Sequence, residues 1–233
     1  SENKIIIPDR KQAHYIKDVL RLKTKDEIVV FNEKANEYVC SIEKLKPTLT
    51  LNIKEIVPLS ANPKKIRLSL ACAMPKKSNM DAIIDKLTQL GVDRIIPLKT
   101  KRTIVKLDEK KRQLRLSHWQ KVVQSSSEQS QRSSLPIIEP IQDVREVLSE
   151  SKDYDLKLIP TLEGQRQSLK EILQNSKAAN ILALIGPEGD FTKEEVNLAK
   201  QSGFIPVSLG DSVLRVETAA VAVASYIKFL YQI

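Results

Sequence analysis

The chain has 233 residues, 41% of them hydrophobic and 29% charged, which leaves room for one large globular domain or two modest ones. No run reaches the ~18 consecutive apolar residues of a membrane span. The opening SENKIIIPDRKQ lacks the apolar core of a signal peptide, so a cytoplasmic location is expected. Thirty-eight basic residues against twenty-nine acidic ones leave a formal charge of +9. That balance favours an anionic partner, nucleic acid first. Aromatic residues make up only 4%, which argues against a sheet platform that stacks bases.

In chain order, His14 to Leu20 reads as a first helix. Three short, partly alternating β-branched runs follow at Glu27 to Phe31, Glu37 to Ile42 and Thr50 to Val57, a spacing that suggests a small β-barrel. The polar, proline-bearing stretch Pro58 to Lys65 breaks the pattern and divides a domain over 1–64 from one over 65–233. Beyond it strands and helices alternate. Ile66 to Ala73 is a buried strand, and Met80, Ile83, Ile84, Leu87 and Leu90 form the stripe of a helix over Lys77 to Leu90. Strands are expected at Ile95 to Leu98, Leu156 to Pro160, Ile181 to Ile185 and Pro206 to Leu209. Helices are expected at Ser117 to Gln131, Val144 to Ser149, Leu169 to Asn175, Lys193 to Ser202 and Ala219 to Tyr231. This order predicts an α/β domain with a mostly parallel sheet. Cys40 and Cys72 fall separately inside strand-like runs and read as reduced core residues. His14 and His118 are isolated, so no metal centre is implied.

Two strand-to-loop transitions carry the chemistry. The run ending at Ile185 stops at Gly186-Pro187-Glu188-Gly189, and the run ending at Leu209 stops at Gly210-Asp211-Ser212. In open parallel sheets, ligands sit beyond such strand ends, and glycine there lets backbone approach a ligand closely. The first loop also has a plainer reading, a tight turn into a helix capped by Asp190 or Thr192. The first loop is no phosphate cradle, because GxxxxGK[ST] is absent and an acidic residue occupies the turn. Arg215 opens the final helix, where a cation is electrostatically disfavoured, so local helix stability gives no reason for it. Glu217 suits the first turn of that helix, and Thr218 can cap or support the loop.

The segments GPEGDF and SLGDSVLRVETA, in this order and near the C-terminus, resemble the RsmE family. These are SPOUT-class methyltransferases that use S-adenosylmethionine to methylate N3 of a uridine in small-subunit (16S) ribosomal RNA. SSSEQSQR at Ser125 to Arg132 is similar to the family's EAAEQSGR, and NMDAIIDKLTQLGVDRIIPL to its helix and strand. The resemblance implies a SPOUT-type knotted α/β domain behind a PUA-like β-barrel. It also implies a homodimer, and S-adenosyl-L-methionine as the cofactor. It places cofactor contacts at Leu184, Ile185, Gly186, Pro187, Glu188 and Gly189 of the first loop. Ser208, Leu209, Gly210 and Leu214 of the second loop are implied likewise, with Arg215, Thr218 and Ala219 at the helix start. Leu184 reads equally as plain core. The family usually has glycine where this chain has Asp190.

Uridine N3 must lose its proton to attack the methyl group, and the resulting negative charge spreads onto O2 and O4, where a guanidinium stabilises it while staying protonated. Arg215 matches that role. Glu217, Glu128 and Glu188 are candidates for a general base, with bulk water as the alternative. Gln129 is a candidate to read a uracil edge and Arg132 to hold a phosphate, or both mark a solvated helix end. Arg10, Arg21 and Arg102 match family positions on the RNA face. Two other readings stay open: another acceptor such as a ribose 2′-OH, or a non-catalytic RNA-binding ribosome-assembly factor.

Overall fold

The computed structural model describes residues 3–31, 37–57, 66–75, 80–103, 108–132 and 134–231. It divides into two compact units, Ser1–Asn62 and Pro63–Ile233. The boundary read from the sequence, Pro58 to Lys65, lies outside the described residues.

In the first unit β1 (Lys4–Ile7), β2 (Glu27–Phe31), β3 (Glu37–Lys44) and β4 (Leu49–Val57) form an antiparallel sheet of order β1-β4-β3-β2. Register shifts between Val39 and Cys40 and between Ile42 and Lys44 interrupt the β3–β4 ladder. Such irregularities increase the local twist and curl a sheet. Its core is Cys40, Ile42, Leu49 and Leu51, closed by Ile16. The helix expected over 14–20 begins earlier, as α1 (Arg10–His14), and continues into one π-helical turn, Tyr15–Val19. The sequence pattern does not mark β1; its register with β4, from Lys4 opposite Asn52 to Ile7 opposite Leu49, depends on a pairing distant in sequence.

The second unit is a three-layer α/β/α domain. In chain order it comprises β5 (Arg67–Ala73), α2 (Met80–Gln89), β6 (Arg94–Lys99), α3 (Glu109–Gln129), β7 (Ile137–Ile138), β8 (Gln142–Asp143) and α4 (Val144–Ser149). There follow β9 (Leu156–Pro160), β10 (Gln167–Ser168), α5 (Leu169–Gln174), β11 (Asn180–Ile185), α6 (Lys193–Gln201), β12 (Ile205–Ser208) and α7 (Val216–Tyr231). The sheet order is β10-β12-β9-β11-β5-β6-β7, with β8 also on β6, and its strand pairs run parallel. β11 lies between β9 and β5 with Ile181 to Ile185 all buried, which is why it reads as an unbroken apolar run.

The sheet separates two cores. One gathers α2, α3, α5 and α7 around Leu68, Leu70, Ile83, Leu87 and Val223. The other packs α4 and α6 against Leu98, Ile159, Leu184 and Phe191. Hence α5, between β9 and β11, covers one face, and α6, between β11 and β12, covers the other. The chain moves from β9 to β11 and then returns past β9 to β12. That reversal is a topological switch point, where ligand crevices form outside the carboxyl ends of strands.

α3 starts two turns before the expected Ser117. Asp108 caps it, its carboxylate accepting from the Lys111 backbone N–H at 2.8 Å. The polar run Glu109 to Arg115 carries no apolar stripe, so periodicity could not reveal those turns. Further along, Trp119 is buried, and its indole N–H donates to Asp81 at 3.0 Å. At the opposite end of the sheet Lys228, 6% exposed, pairs with Asp93 at 2.8 Å and ties α7 beneath β5 and β6. No described helix is long and apolar enough to cross a membrane.

Candidate functional site

Three adjacent strands, β12, β9 and β11, end side by side, and the segments that leave them enclose one cleft. Gly186, Pro187, Glu188 and Asp190 form the wall leaving β11. Pro160, Thr161, Leu162 and Arg166 form the wall leaving β9. Leu209 and Gly210, then Ser212 to Leu214, form the wall leaving β12, and Val216 and Ala219 of α7 close the base. About 570 Å³ of atom-free space, counting the open mouth, lies between them.

Local chemistry explains each wall. Gly186 has no room for a side chain, because a Cβ would meet the Phe191 ring at 3.1 Å. Gly210 has φ +113°, and a Cβ there would find nothing within 4 Å, so its requirement is conformational. The Ser208 hydroxyl and the Gly210 backbone bond each other at 3.3 Å, which tightens that turn. Asp190 adopts φ +63°, a left-handed conformation that aspartate tolerates better than most residues. Its carboxylate accepts from the Thr161 hydroxyl at 2.8 Å, the Leu162 N–H at 2.7 Å and the Phe191 N–H at 2.8 Å. One side chain therefore joins two walls of the cleft. Thr192 caps α6 in a reciprocal box with Glu195, whose carboxylate also accepts from the Lys101 N–H at 2.8 Å.

Of the residues singled out in the sequence, Ile185, Gly186, Pro187, Glu188, Leu209, Gly210, Leu214 and Ala219 line this cleft. Leu184 is fully buried in the core on the α4–α6 side. Gly189 lies beside Arg102, whose guanidinium donates to the Gly189 carbonyl and more weakly to those of Asp190 and Phe191. Arg102 thus holds the first loop. Ser208 acts through the turn just described, and Thr218 is exposed outside the lining. Arg215 is exposed between the lining residues Leu214 and Val216, and its carbonyl accepts from the Ala219 N–H at 2.8 Å, starting α7. Glu217 is half-buried in the first turn.

The end of α3 lies elsewhere. Gln129 lines a second, shallower groove between α2 and α3 with Asp81, Asp85 and His118, and that groove shares no lining residue with the cleft. Glu128 is exposed and accepts from Gln124 at 3.0 Å. Arg132 is half-buried, and its guanidinium donates at 2.9 Å to the carbonyls of both Thr88 and Val92. Burial lowers its pKa, partly opposed by Asp93. These bonds engage one nitrogen of Arg132 at the end of α2. Arg21 is exposed at φ +56°. Arg10 opens α1, and its side chain lies outside the described residues.

The wall from Thr161 to Arg166 is not among the sequence expectations. A signal for it exists, since Pro160-Thr161-Leu162-Glu163-Gly164 is a third strand end followed by a turn glycine, at φ +67°. Cys72 is fully buried beside Ile185 and its thiol is pushed up to about 12 by desolvation, so it is chemically inert. Among the described residues no group of His, Cys, Asp and Glu is arranged to hold a metal.

Comparison with known proteins agrees with this architecture. The RNA methyltransferase domain model matches residues 62–228, and the RNA methyltransferase PUA domain model matches residues 7–54. The ribosomal RNA small subunit methyltransferase E of Rickettsia conorii is 32% identical over 98% of this chain and 91% of its own length. The Bacillus subtilis protein of the same name is 26% identical over 94% and 88%. The crystal structure of a ribosomal RNA small subunit methyltransferase E from Neisseria gonorrhoeae bound to S-adenosyl methionine superposes with a TM-score of 0.80. It is 29% identical and matches 98% of this chain and 92% of that one. With its PUA domain, its switch-point cleft and its whole-length similarity, the chain belongs to the ribosomal RNA small subunit methyltransferase E family.

Proposed function

We propose that the chain methylates N3 of a uridine in small-subunit (16S) ribosomal RNA, with S-adenosyl-L-methionine as methyl donor, acting in the cytoplasm as a homodimer. The observation that carries the reading is the convergence of both glycine loops on one cleft at the switch point of the sheet. The lining suits this cofactor. Ile185, Leu209, Val213, Leu214 and Ala219 offer apolar surface to an adenosine, and Glu188 and Asp190 offer negative charge to cationic groups. Among the described residues no lysine lines the cleft.

Bound in the cleft, S-adenosylmethionine supplies an electrophilic methyl group on a sulfonium. The protein's share of the work is placement and electrostatics. Asp190 and Arg102 keep the first loop in shape, and Gly210 turns the second. Arg215, at the mouth, donates to the uracil oxygens as N3 loses its proton, an interaction strongest when the charge is fully developed. The proton leaves to water or to one of the carboxylates Glu217, Glu128 and Glu188. Glu128 and Gln129 lie outside the cleft of their own chain; in a homodimer they belong to the neighbouring site, and the apolar face of α7, with Tyr226 and Phe229 exposed, supplies contact area.

The test is nucleoside mass spectrometry of small-subunit RNA from cells with and without the protein, alongside methyl transfer by purified protein to small-subunit particles. N3-methyluridine should vanish in the deletion and reappear in vitro. Ribose-methylated nucleosides changing in its place, or no change at all, would overturn the proposal.

A further inference from the structure

Arg166 is the one cation among the described residues that line the cleft. It stands one residue before β10, where Gln167 and Ser168 pair with Val207 and Ser208 of β12. That pairing anchors its backbone on the rigid sheet edge. Its guanidinium donates to the Thr161 carbonyl at 3.3 Å, which holds it against the wall. Four of its five N–H groups are then still available, and among the described residues no carboxylate lies within salt-bridge distance of it. The same lining holds two acids, Glu188 and Asp190. Among the described residues the lining thus holds two acids and one cation.

An S-adenosylmethionine molecule carries the opposite set: a sulfonium and an ammonium, both positive, and one carboxylate. A nucleic-acid phosphate chain fits this lining poorly, because Glu188 and Asp190 would repel it at the same place. Resting on the cofactor reading above, we propose that Arg166 binds the carboxylate of the cofactor's methionine moiety, so that the amino-acid end lies toward the 161–166 wall. The adenosine then lies toward Leu209, Leu214 and Ala219, the apolar side of the cleft. Guanidinium and carboxylate match as planar two-pronged partners, a geometry that an ammonium cannot reproduce.

The experiment is calorimetry on the full chain with two probes, S-adenosylhomocysteine and 5′-methylthioadenosine. The second keeps the adenosine and sulfur but lacks both the carboxylate and the ammonium. In Arg166→Gln, affinity for S-adenosylhomocysteine should fall about tenfold or more, and affinity for 5′-methylthioadenosine should stay within about twofold of wild type. Arg166→Lys should give an intermediate loss for the first probe only. Arg166 is exposed, and thermal melting of each variant checks that the fold is intact. Equal losses for both probes, or no loss for either, overturn the assignment. Unchanged S-adenosylhomocysteine binding with weakened binding of small-subunit RNA would also overturn it, and would make Arg166 a phosphate contact. If the wild-type chain binds neither probe, the cofactor reading itself fails, an outcome distinct from the others.

Discussion

The Asp190 carboxylate accepts a hydrogen bond from the Thr161 hydroxyl at 2.8 Å, although 29 positions separate the two residues. The same oxygen also accepts from the Leu162 N–H. Two loops leaving neighbouring strands are therefore fixed to each other by one side chain. The carboxylate at position 190 links the loops, while its backbone keeps a left-handed φ of +63°.

Replacing Asp190 by glycine and by alanine separates those two contributions. Glycine keeps the backbone conformation and loses the clamp, and alanine loses both. Cofactor affinity should fall several-fold in Asp190→Gly and further in Asp190→Ala. The stability cost is about 1–3 kcal/mol for donors left without a partner, with backbone strain added in alanine. Calorimetry with S-adenosylhomocysteine and urea denaturation read both; equal behaviour of the two variants would show that the carboxylate alone matters.

The two loop glycines should fail for different reasons. In Gly186→Val the side chain meets the Phe191 ring, so the variant loses stability by about 1–3 kcal/mol through overpacking as well as affinity. Gly210 has open space around it, so Gly210→Ala should lose affinity through its φ of +113° with little change in the remainder of the core. Melting temperature and probe affinity measured together distinguish the cases. An unaltered melt and unaltered binding in Gly186→Val would contradict the packing of Gly186 against Phe191.

Arg215→Ala should leave folding and cofactor affinity nearly intact while slowing methyl transfer by ~10²-fold or more, the scale of losing one donor to a developing anion. Lysine should restore part of the rate, since it keeps the charge without the planar fork. N3-methyluridine formed per unit time on small-subunit particles is the readout. Wild-type turnover in the alanine variant would make Arg215 structural.

Arg132→Met should behave as a folding mutation. Two carbonyls at the end of α2 lose a charged donor, a cost of about 1.5–3 kcal/mol each at most, since water reaches this half-buried site. Denaturant midpoints should drop, while RNA affinity, compared at a temperature where both proteins are folded, should change little. A selective loss of RNA binding at unchanged stability would return Arg132 to the RNA face.

Cys72 offers a test of burial through pH. Its thiol is raised from an ordinary 9.0 to about 12 by desolvation. Below 9.0 both folded and unfolded chains keep the proton, and stability is unaffected. Between 9.0 and about 12 the unfolded chain loses a proton that the folded chain retains, so stability falls as pH rises. The Cys72→Ala variant should lack that part of the slope, on the order of 1 kcal/mol per pH unit above 9. Denaturation curves at about pH 8 and about pH 10 measure it; identical slopes in the two proteins would mean that Cys72 is open to solvent.

Periodicity and turn chemistry carry far in this sequence. The apolar run at Ile181 to Ile185 and the stripe from Met80 to Leu87 follow from residue order, because burial on a strand or a helix face imposes a local repeat. So do the two glycine loops, whose turns are local in origin. Other features depend on partners distant in the chain. The start of α3 rests on a cap that apolar periodicity does not register, and β1, β7, β8 and β10 exist only through their neighbours in a sheet. Arg132 and Arg102 look alike as basic residues, yet one closes the end of α2 and the other holds a loop, according to which carbonyls the fold brings within reach. The third wall of the cleft follows from sheet order: β9 beside β11 sets Thr161 against Asp190, and β10 beside β12 sets Arg166 near the second loop. Local sequence specifies what each segment becomes, whereas the charge pattern of the site arises from sheet order, since hydrogen bonds and Coulomb forces act across a few ångströms of space whatever the separation along the chain.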